Sequence, residues 1–363
     1  MSQCCPLSPE ADRGPGHSAS KGANASDVFW KQKAPPSGIR MTSVSIIIPA
    51  WNEAQVLSET LAALLHIDYD KKQCEVIVVA GGQDQTYEMA KKMSKSMEVF
   101  SRCVVLPQTR GGKNRAVQTG IKEARKDIIV LLDADTLVTQ PWLKRMVEPI
   151  EGGTSDLTIA NPEALRRSWI TDYYMITKTR YLDRITWHPG HSIAFKAITV
   201  NRRLDYFFDR HTKVGVDYLL QKRFVEQGRE IMFVKEAAVK TRLPLSLKYF
   251  VLTELRWLTA LINIDGVSYR SLACNSVILG SLMFLIPVGK MPFMLALLFN
   301  VLYIGKRVRM FFVTSKDCGV SVRNVFGFVA LSYVCHLVGF ICHVKYFLGL
   351  SKTTHLYQGE RYS

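Results

Sequence analysis

Apolar and polar positions divide the chain into two regimes. Across residues 41–135, short unbroken apolar runs alternate with stretches that repeat apolar side chains every three or four positions. Val44–Pro49 (VSIIIP) is a β-branched run of the kind found in a strand buried on both faces. A helical pattern follows from about Glu53 to Leu65, carried by Val56, Leu57, Leu61, Leu64 and Leu65. Glu75–Ala80 (EVIVVA) predicts a second buried strand, ended by Gly81 and Gly82, and Thr86–Met97 a second helix. Val104–Leu106 predicts a short third strand, Asn114–Ala124 a helix, and Ile128–Leu132 (IIVLL) a fourth strand stopping at Asp133. Strands and helices in strict alternation predict an α/β domain with a Rossmann-like, mostly parallel sheet. Beyond residue 270 the pattern changes. Leu272–Val288, Met291–Gly305 and Asn324–His343 are long apolar runs with few charges. They predict about three transmembrane helices within 271–350, the first two short for a span of about twenty residues.

Sheets of this class bind ligands at the carboxyl ends of their strands. Pro49-Ala50-Trp51-Asn52-Glu53 follows the first strand and Gly81-Gly82-Gln83-Asp84-Gln85-Thr86 the second. Arg110-Gly111-Gly112-Lys113 follows the third, and Asp133-Ala134-Asp135 the fourth. Carboxylates, one lysine and several glycines therefore converge on one edge. Carboxylates hold a hard cation, a cation neutralises a diphosphate, and glycines let backbone approach phosphate. Each piece has a plainer explanation: D-x-D as a solvated turn, Glu53 and Asp84 as caps of the helices they open. The Gly-Gly-Lys run lacks the Walker A frame. The order and position of the set carry the weight, with D-x-D directly after a buried strand.

The net charge is +16. It suits an anionic partner such as a membrane face or a phosphorylated small molecule. No recognisable nucleic-acid-binding motif accompanies it, so no nucleic-acid partner is expected. Eight scattered cysteines form no C-x-x-C pair and read as small core hydrophobes in a reducing compartment. Residues 1–40, rich in Ser, Gly, Pro and Ala, read as a disordered tail without a signal peptide.

The ordered set IIIPAWNE, VVAGGQDQT, GGKNRAV and VLLDADT resembles the inverting glycosyltransferase family 2 with the GT-A fold. Cellulose and hyaluronan synthases, dolichyl-phosphate sugar synthases and ceramide glucosyltransferase belong to that family. Gly190-His191-Ser192-Ile193-Ala194-Phe195-Lys196 looks like its Gly-rich strand leading to an aromatic-basic pair. Gly215-Val216-Asp217-Tyr218-Leu219-Leu220 looks like its E-D-x-x-L segment, and Glu254-Leu255-Arg256-Trp257 like the end of Q-x-x-R-W. The resemblance covers about residues 43–262. Three positions depart from it. Ala80 stands where many relatives carry an Asp near the nucleotide base, Val216 replaces the Glu of E-D, and Thr253 replaces the Gln of Q-x-x-R-W. The last points away from a processive polymer synthase.

The resemblance implies roles. Asp133 and Asp135 would engage a magnesium or manganese ion (Mg2+ or Mn2+) through the donor diphosphate. Pro49, Glu53, Asp84 and Lys113 would line the nucleotide pocket, with Asp133 at its diphosphate end. Arg256 and Trp257 would lie near the diphosphate and acceptor, and Asp217 would be the general base. One carboxylate suffices when attack directly inverts the anomeric carbon, whereas double displacement needs a second as nucleophile. The implied partners are a nucleotide-sugar donor, a lipid or glycan acceptor, the membrane, and possible membrane-protein partners.

The expected organisation is a 1–40 tail, a GT-A domain over 41–244, an interfacial amphipathic helix within 245–270, transmembrane helices over 271–350 and a 351–363 tail. The catalytic domain would lie on the cytoplasmic side of a multi-pass protein. The aromatic and basic stretch Trp169, Tyr173, Tyr174, Arg180, Tyr181, Arg184 and Trp187 reads equally as a helix packed on the sheet or as an acceptor-side wall at the membrane surface. Two other classes stay open: an inactive GT-A membrane scaffold, and a metal-dependent nucleotidyltransferase. The latter calls for a Gly-rich basic loop after the first strand, where this chain has PAWNE.

Overall fold

A computed structural model describes residues 42–108, 112–180, 190–208, 215–283, 290–316 and 318–350. The two expected tails lie outside these residues. The first strands form as their apolar runs dictate: β1 (Val44–Trp51), β2 (Cys74–Gly81), β3 (Arg102–Pro107) and β4 (Ile128–Leu132). Between them come α1 (Leu57–Leu64), α2 (Thr86–Ser94) and α3 (Gly112–Glu123). All pairings among these four strands are parallel, in the order β3-β2-β1-β4. The periodic stretch opening at Glu53 begins as turn, so α1 starts four residues later than its pattern suggests.

β5 (Thr136–Val138), α4 (Trp142–Glu151), β6 (Leu157–Ala164) and α5 (Trp169–Tyr174) follow. Next come β7 (Ser192–Lys196), α6 (Ala197–Asn201), α7 (Leu204–Phe207), α8 (Val216–Glu226) and β8 (Ile231–Thr241). The sheet has eight strands in the order β3-β2-β1-β4-β7-β6-β8-β5. β7 runs antiparallel to both β4 and β6, and β5 antiparallel to β8, so the sheet is mixed and its first half parallel.

Both faces of the sheet are covered, which is why β1 and β2 are apolar throughout instead of alternating. Ile46, Ile48, Val76, Val78, Val130 and Leu132 enter one core with Leu57, Leu61 and Trp142. Their neighbours Ile47, Ile77, Val79, Ile129 and Leu131 enter the other with Val117, Phe195 and Phe224. At the amino ends of the strands, buried Glu75 is fully engaged. It accepts from Ser45 Oγ at 2.6 Å and Arg125 N at 2.7 Å and pairs with Arg102 at 3.0 Å. That charge network is structural and leaves the carboxyl edge as the place for chemistry.

The C-terminal part is helical: α9 (Leu247–Asp265), α10 (Tyr269–Met283), α11 (Lys290–Ser315) and α12 (Val325–Phe347). Among the described residues, two helical segments are long and apolar enough to cross a membrane, Met291–Ser315 and Val322–Phe347. α10 is shorter, and the end of the Leu272–Val288 run lies outside the described residues. α11 turns Met291, Met294, Leu295, Leu298 and Leu302 outward, each more than half exposed.

The helices dock on the domain through α5. Ser168 and Thr171 form a reciprocal capping box at its start. Asp172 pairs with Arg167 at 2.9 Å and accepts from Asn324 Nδ2 at 2.6 Å. Arg167 in turn donates to the Cys318 carbonyl at 2.8 Å. Tyr173 packs between Phe250 and Phe328, with ring centroids 5.5 and 5.3 Å away. Hydrogen bonds to charged partners contribute about 1.5–3 kcal/mol each, so Asp172 and Arg167 hold the α11–α12 connection firmly against the domain. Trp169, Tyr173 and Tyr174 are therefore packing residues of a helix junction. Tyr181, Arg184 and Trp187 fall outside the described residues. The cysteines are free thiols among the described residues, with Cys74, Cys318, Cys335 and Cys342 buried and Cys274 exposed.

Candidate active site

The loops after β1 and β2 are stitched together by polar side chains. Asn52 adopts a left-handed φ of 55° and accepts from Gln83 N at 2.6 Å. Gly82 lies beneath it at φ 129°, where an added Cβ would stand 2.1 Å from Asn52 Oδ1, so only glycine fits. Asp84 accepts from Ala54 N at 3.1 Å and from the Thr86 amide at 3.0 Å. Thr86 Oγ1 accepts from Glu53 N at 2.7 Å, and the Glu53 carbonyl opens α1 through Val56 and Leu57. Glu53 and Asp84 thus stand at the strand ends, as their positions in the sequence require, and both take part in holding the rim. Pro49 sits lower, paired in register with Val79.

Asp133-Ala134-Asp135 forms the turn between β4 and β5. Thr60 of α1 donates to the Ala134 carbonyl at 2.7 Å, and Thr136 N donates to the Asp133 carbonyl at 3.2 Å. Both bonds fix carbonyls of the turn, and Thr136 Oγ1 also donates to Asp135 Oδ1 at 3.4 Å. Asp135 is buried, and Asp133 is half-buried. Lys113, in the first turn of α3, pairs directly with Asp133 Oδ1, while His191 Nδ1 lies 3.5 Å from Oδ2. Burial alone would raise the Asp133 pKa; Lys113 and His191 outweigh it and hold the carboxyl well below the usual carboxylate range. Burial likewise works against the Lys113 charge, but Asp133, Asp217 and Asp135 together hold its pKa above the ordinary lysine value. The lysine thus feels all three carboxylates at once.

Asp217 arrives from a distant part of the chain. It lies in the first turn of α8, behind Gly215 at φ 80°. Its Oδ2 accepts from Gly190 N at 3.0 Å, so the carboxylate reaches across to the strand segment beside Asp133. Gly190 permits this closeness, since a Cβ there would stand 2.3 Å from Asp217 Cβ. Arg256 and Trp257 ride on α9. That helix is tied to α8 by Asp265, which receives Tyr218 Oη and Lys222 Nζ, and Gly215 packs near Ala260 and Ile264.

Lys113, Asp133 and Asp217 are thus gathered at one edge, with Glu53 and Asp84 in the adjoining rim. His191 carries no role in the sequence-based reading, yet it contacts Asp133. The antiparallel register explains it: Leu132 pairs with Ser192, so Asp133 meets His191 and donates to its carbonyl at 3.0 Å. Position next to Gly190 was the available signal; the antiparallel direction of β7 was not visible in the apolar pattern. Among the described residues no group of three His, Cys, Asp or Glu forms a ready metal cluster.

Residues 45–205 match the family model described as Glycosyl transferase family 2. The chain carries a glycosyltransferase family 2 domain. Glycosyltransferase AglE of Haloferax volcanii is 36% identical over 121 residues, 33% of this chain and 39% of that protein. Poly-beta-1,6-N-acetyl-D-glucosamine synthase of Staphylococcus aureus is 32% identical over 108 residues, 30% of this chain and 25% of that protein. The matched segments span less than half the length of either relative. The solved structure of mannosyltransferase PcManGT from Pyrobaculum calidifontis, in complex with GDP-Man and Mn2+, shares the fold. Its TM-score is 0.58 at 18% identity, over 83% of this chain and 87% of that one. The glycosyltransferase domain is accordingly GT-A-like: a mixed, mostly parallel sheet whose ligand edge carries the D-x-D turn.

Proposed function

We propose that the protein is an inverting glycosyltransferase moving a sugar from a nucleoside diphosphate to an acceptor hydroxyl or phosphate, on a lipid or lipid-linked glycan at the cytoplasmic membrane face. The observation that carries this reading is the separation of carboxylate duties at one sheet edge. Asp133 and Asp135 sit in a backbone-fixed turn beside a lysine. Asp217 stands apart on α8, where its carboxylate accepts from the Gly190 amide.

The donor set fits a hard divalent cation. Two carboxylates from one turn would offer the oxygen ligands that Mg2+ and Mn2+ prefer. Asp133 and Asp135 would hold Mg2+ or Mn2+, whose chemistry is to stabilise the charge growing on the departing diphosphate. Lys113 and the amino end of the twelve-residue helix α3 favour the same charge. Glu53, Asp84 and Pro49 shape the nucleotide side. Arg256 and Trp257 face donor and acceptor from α9. Asp217 takes the proton from the acceptor oxygen as that oxygen attacks the anomeric carbon from the side opposite the leaving group. Incubating the protein with Mn2+ and a panel of nucleotide sugars tests this directly: release of one nucleoside diphosphate, enhanced by a lipid extract, is expected, and no release from any donor sinks it.

Gly190→Ala is the sharpest probe of geometry. The new Cβ drives Asp217 aside, and an ångström of misplacement costs on the order of a hundredfold in rate. Turnover should fall on that scale with nucleotide affinity retained. Unchanged turnover would remove the Gly190–Asp217 contact from the mechanism.

The docking of the C-terminal helices supports a membrane placement. The α11–α12 connection touches the domain through Arg167 and carries Lys316 and Arg323, and Lys306, Arg307 and Arg309 lie toward the adjoining end of α11. Basic residues mark the cytoplasmic side, so the domain and that connection share it, with about three helices over 271–350 in the membrane and 245–270 at its surface. Protease added to sealed, cytoplasmic-side-out vesicles should digest the domain. Full protection would place it on the other side.

A further inference from the structure

Three carboxylates of the site share one cation. Lys113 pairs with Asp133, and its ammonium feels Asp217 and Asp135 as well. His191 Nδ1 stands 3.5 Å from the other Asp133 oxygen, so both oxygens already have a basic neighbour. Lys113 projects from the first turn of α3, a helix packed against β1 and β2, on a four-carbon stem whose rotatable bonds let its ammonium change partner. A metal ion approaching this edge alone must displace Lys113 from Asp133, the carboxylate both would use, and meets no three-ligand cluster among the described residues to compensate.

We propose that Lys113 is a resident counter-ion that excludes a divalent cation from the donor site until a nucleoside diphosphate arrives, and then moves from Asp133 to the diphosphate. The inference rests on the metal-dependent transfer proposed above. Its physics is an exchange of partners. Without a donor, withdrawing Lys113 leaves a half-buried carboxylate without its counter-charge and gives the ammonium nothing better. A diphosphate offers the ammonium a stronger anion and frees Asp133 for a cation that phosphate oxygens also ligate. Metal and nucleotide then bind as a coupled pair, each raising the affinity of the other by the same factor. Lys113 stays protonated throughout, so the exchange needs no proton transfer. The metal is thereby confined to donor-loaded protein, and the carboxylates are spared idle occupation by a cation.

The full-length protein in detergent tests this through Mn2+ binding, followed by the paramagnetic signal of free Mn2+, alone and with UDP, GDP, CDP or dTDP. In the wild type, one of these nucleotides should raise Mn2+ affinity by about tenfold or more, within the usual range of coupling. Lys113→Met should bind Mn2+ alone about tenfold more tightly than the wild type and lose most of the coupling. Lys113→Arg keeps the positive charge and should keep the weak binding of Mn2+ alone. Equal Mn2+ affinity in the wild type with and without every nucleotide overturns the exchange. So does a Lys113→Met protein that binds Mn2+ alone no better than the wild type. If no protein binds Mn2+ with any nucleotide, the metal-dependent reading itself falls, and the exchange with it.

Discussion

Replacing Asp135 with alanine is expected to abolish transfer, by roughly a thousandfold or more, because losing metal-assisted charge stabilisation removes several kcal/mol from the transition state. Nucleotide binding that depends on metal should vanish with it. The fold should survive, for a reason visible in the turn. Thr60 holds the Ala134 carbonyl and Thr136 N closes the turn on the Asp133 carbonyl, and both bonds remain when the Asp135 carboxylate is removed. Lys113 keeps its partner Asp133 in this variant. Thermal melting, donor turnover and nucleotide affinity with and without EDTA, measured on one preparation, check the three parts separately. Full activity in the variant, or in wild type stripped by EDTA, would remove the metal from the mechanism.

Asp217→Asn should reduce turnover by roughly a hundredfold or more while donor and metal affinity barely change. A plain helix cap would predict the opposite, since Asn caps as well as Asp. The structure sharpens the contrast. The Asp217 carboxylate accepts from Gly190 N across the site, and the Oδ1 of an asparagine can accept the same bond. Asn therefore preserves the position and removes only the capacity to take a proton. Near-wild-type turnover would disqualify Asp217 and direct the search for a base toward Glu53 or Asp205.

Much of the fold was legible because buried parallel strands announce themselves. The apolar runs at 44–49, 75–80 and 128–132 lie within or match β1, β2 and β4. The third strand, expected over three residues, extends to six, because Arg102 joins the ladder opposite Glu75, to which its side chain is also paired, and Pro107 pairs in register with Ala80. The C-terminal apolar runs were less readable in their boundaries. α11 continues through Lys306, Arg307 and Arg309 to Ser315, since Arg307 is satisfied by Ser332 of α12 at 2.8 Å and by the face of Phe328. A charge that breaks an apolar run in sequence need not break the helix when a neighbour receives it.

What the sequence determined by itself was local and periodic: the alternation of strands and helices, the loops at the carboxyl ends, and the D-x-D placed directly after a buried strand. A strand's exit point is set by its own residues, so Glu53, Asp84, Lys113 and Asp133 were bound to share an edge once the strands paired in parallel. Tertiary structure decided what comes from afar. The antiparallel insertion of β7 brought Gly190 and His191 beside Asp133, and through Gly190 the approach of Asp217, from the next helix but two. It also turned the aromatic face of α5 toward α9 and α12, where the sequence left packing and acceptor roles equally open. Strand direction and helix docking depend on long-range pairing and on the burial of side chains from different segments. Neither quantity has a period within the chain, and neither can be read from one stretch of it.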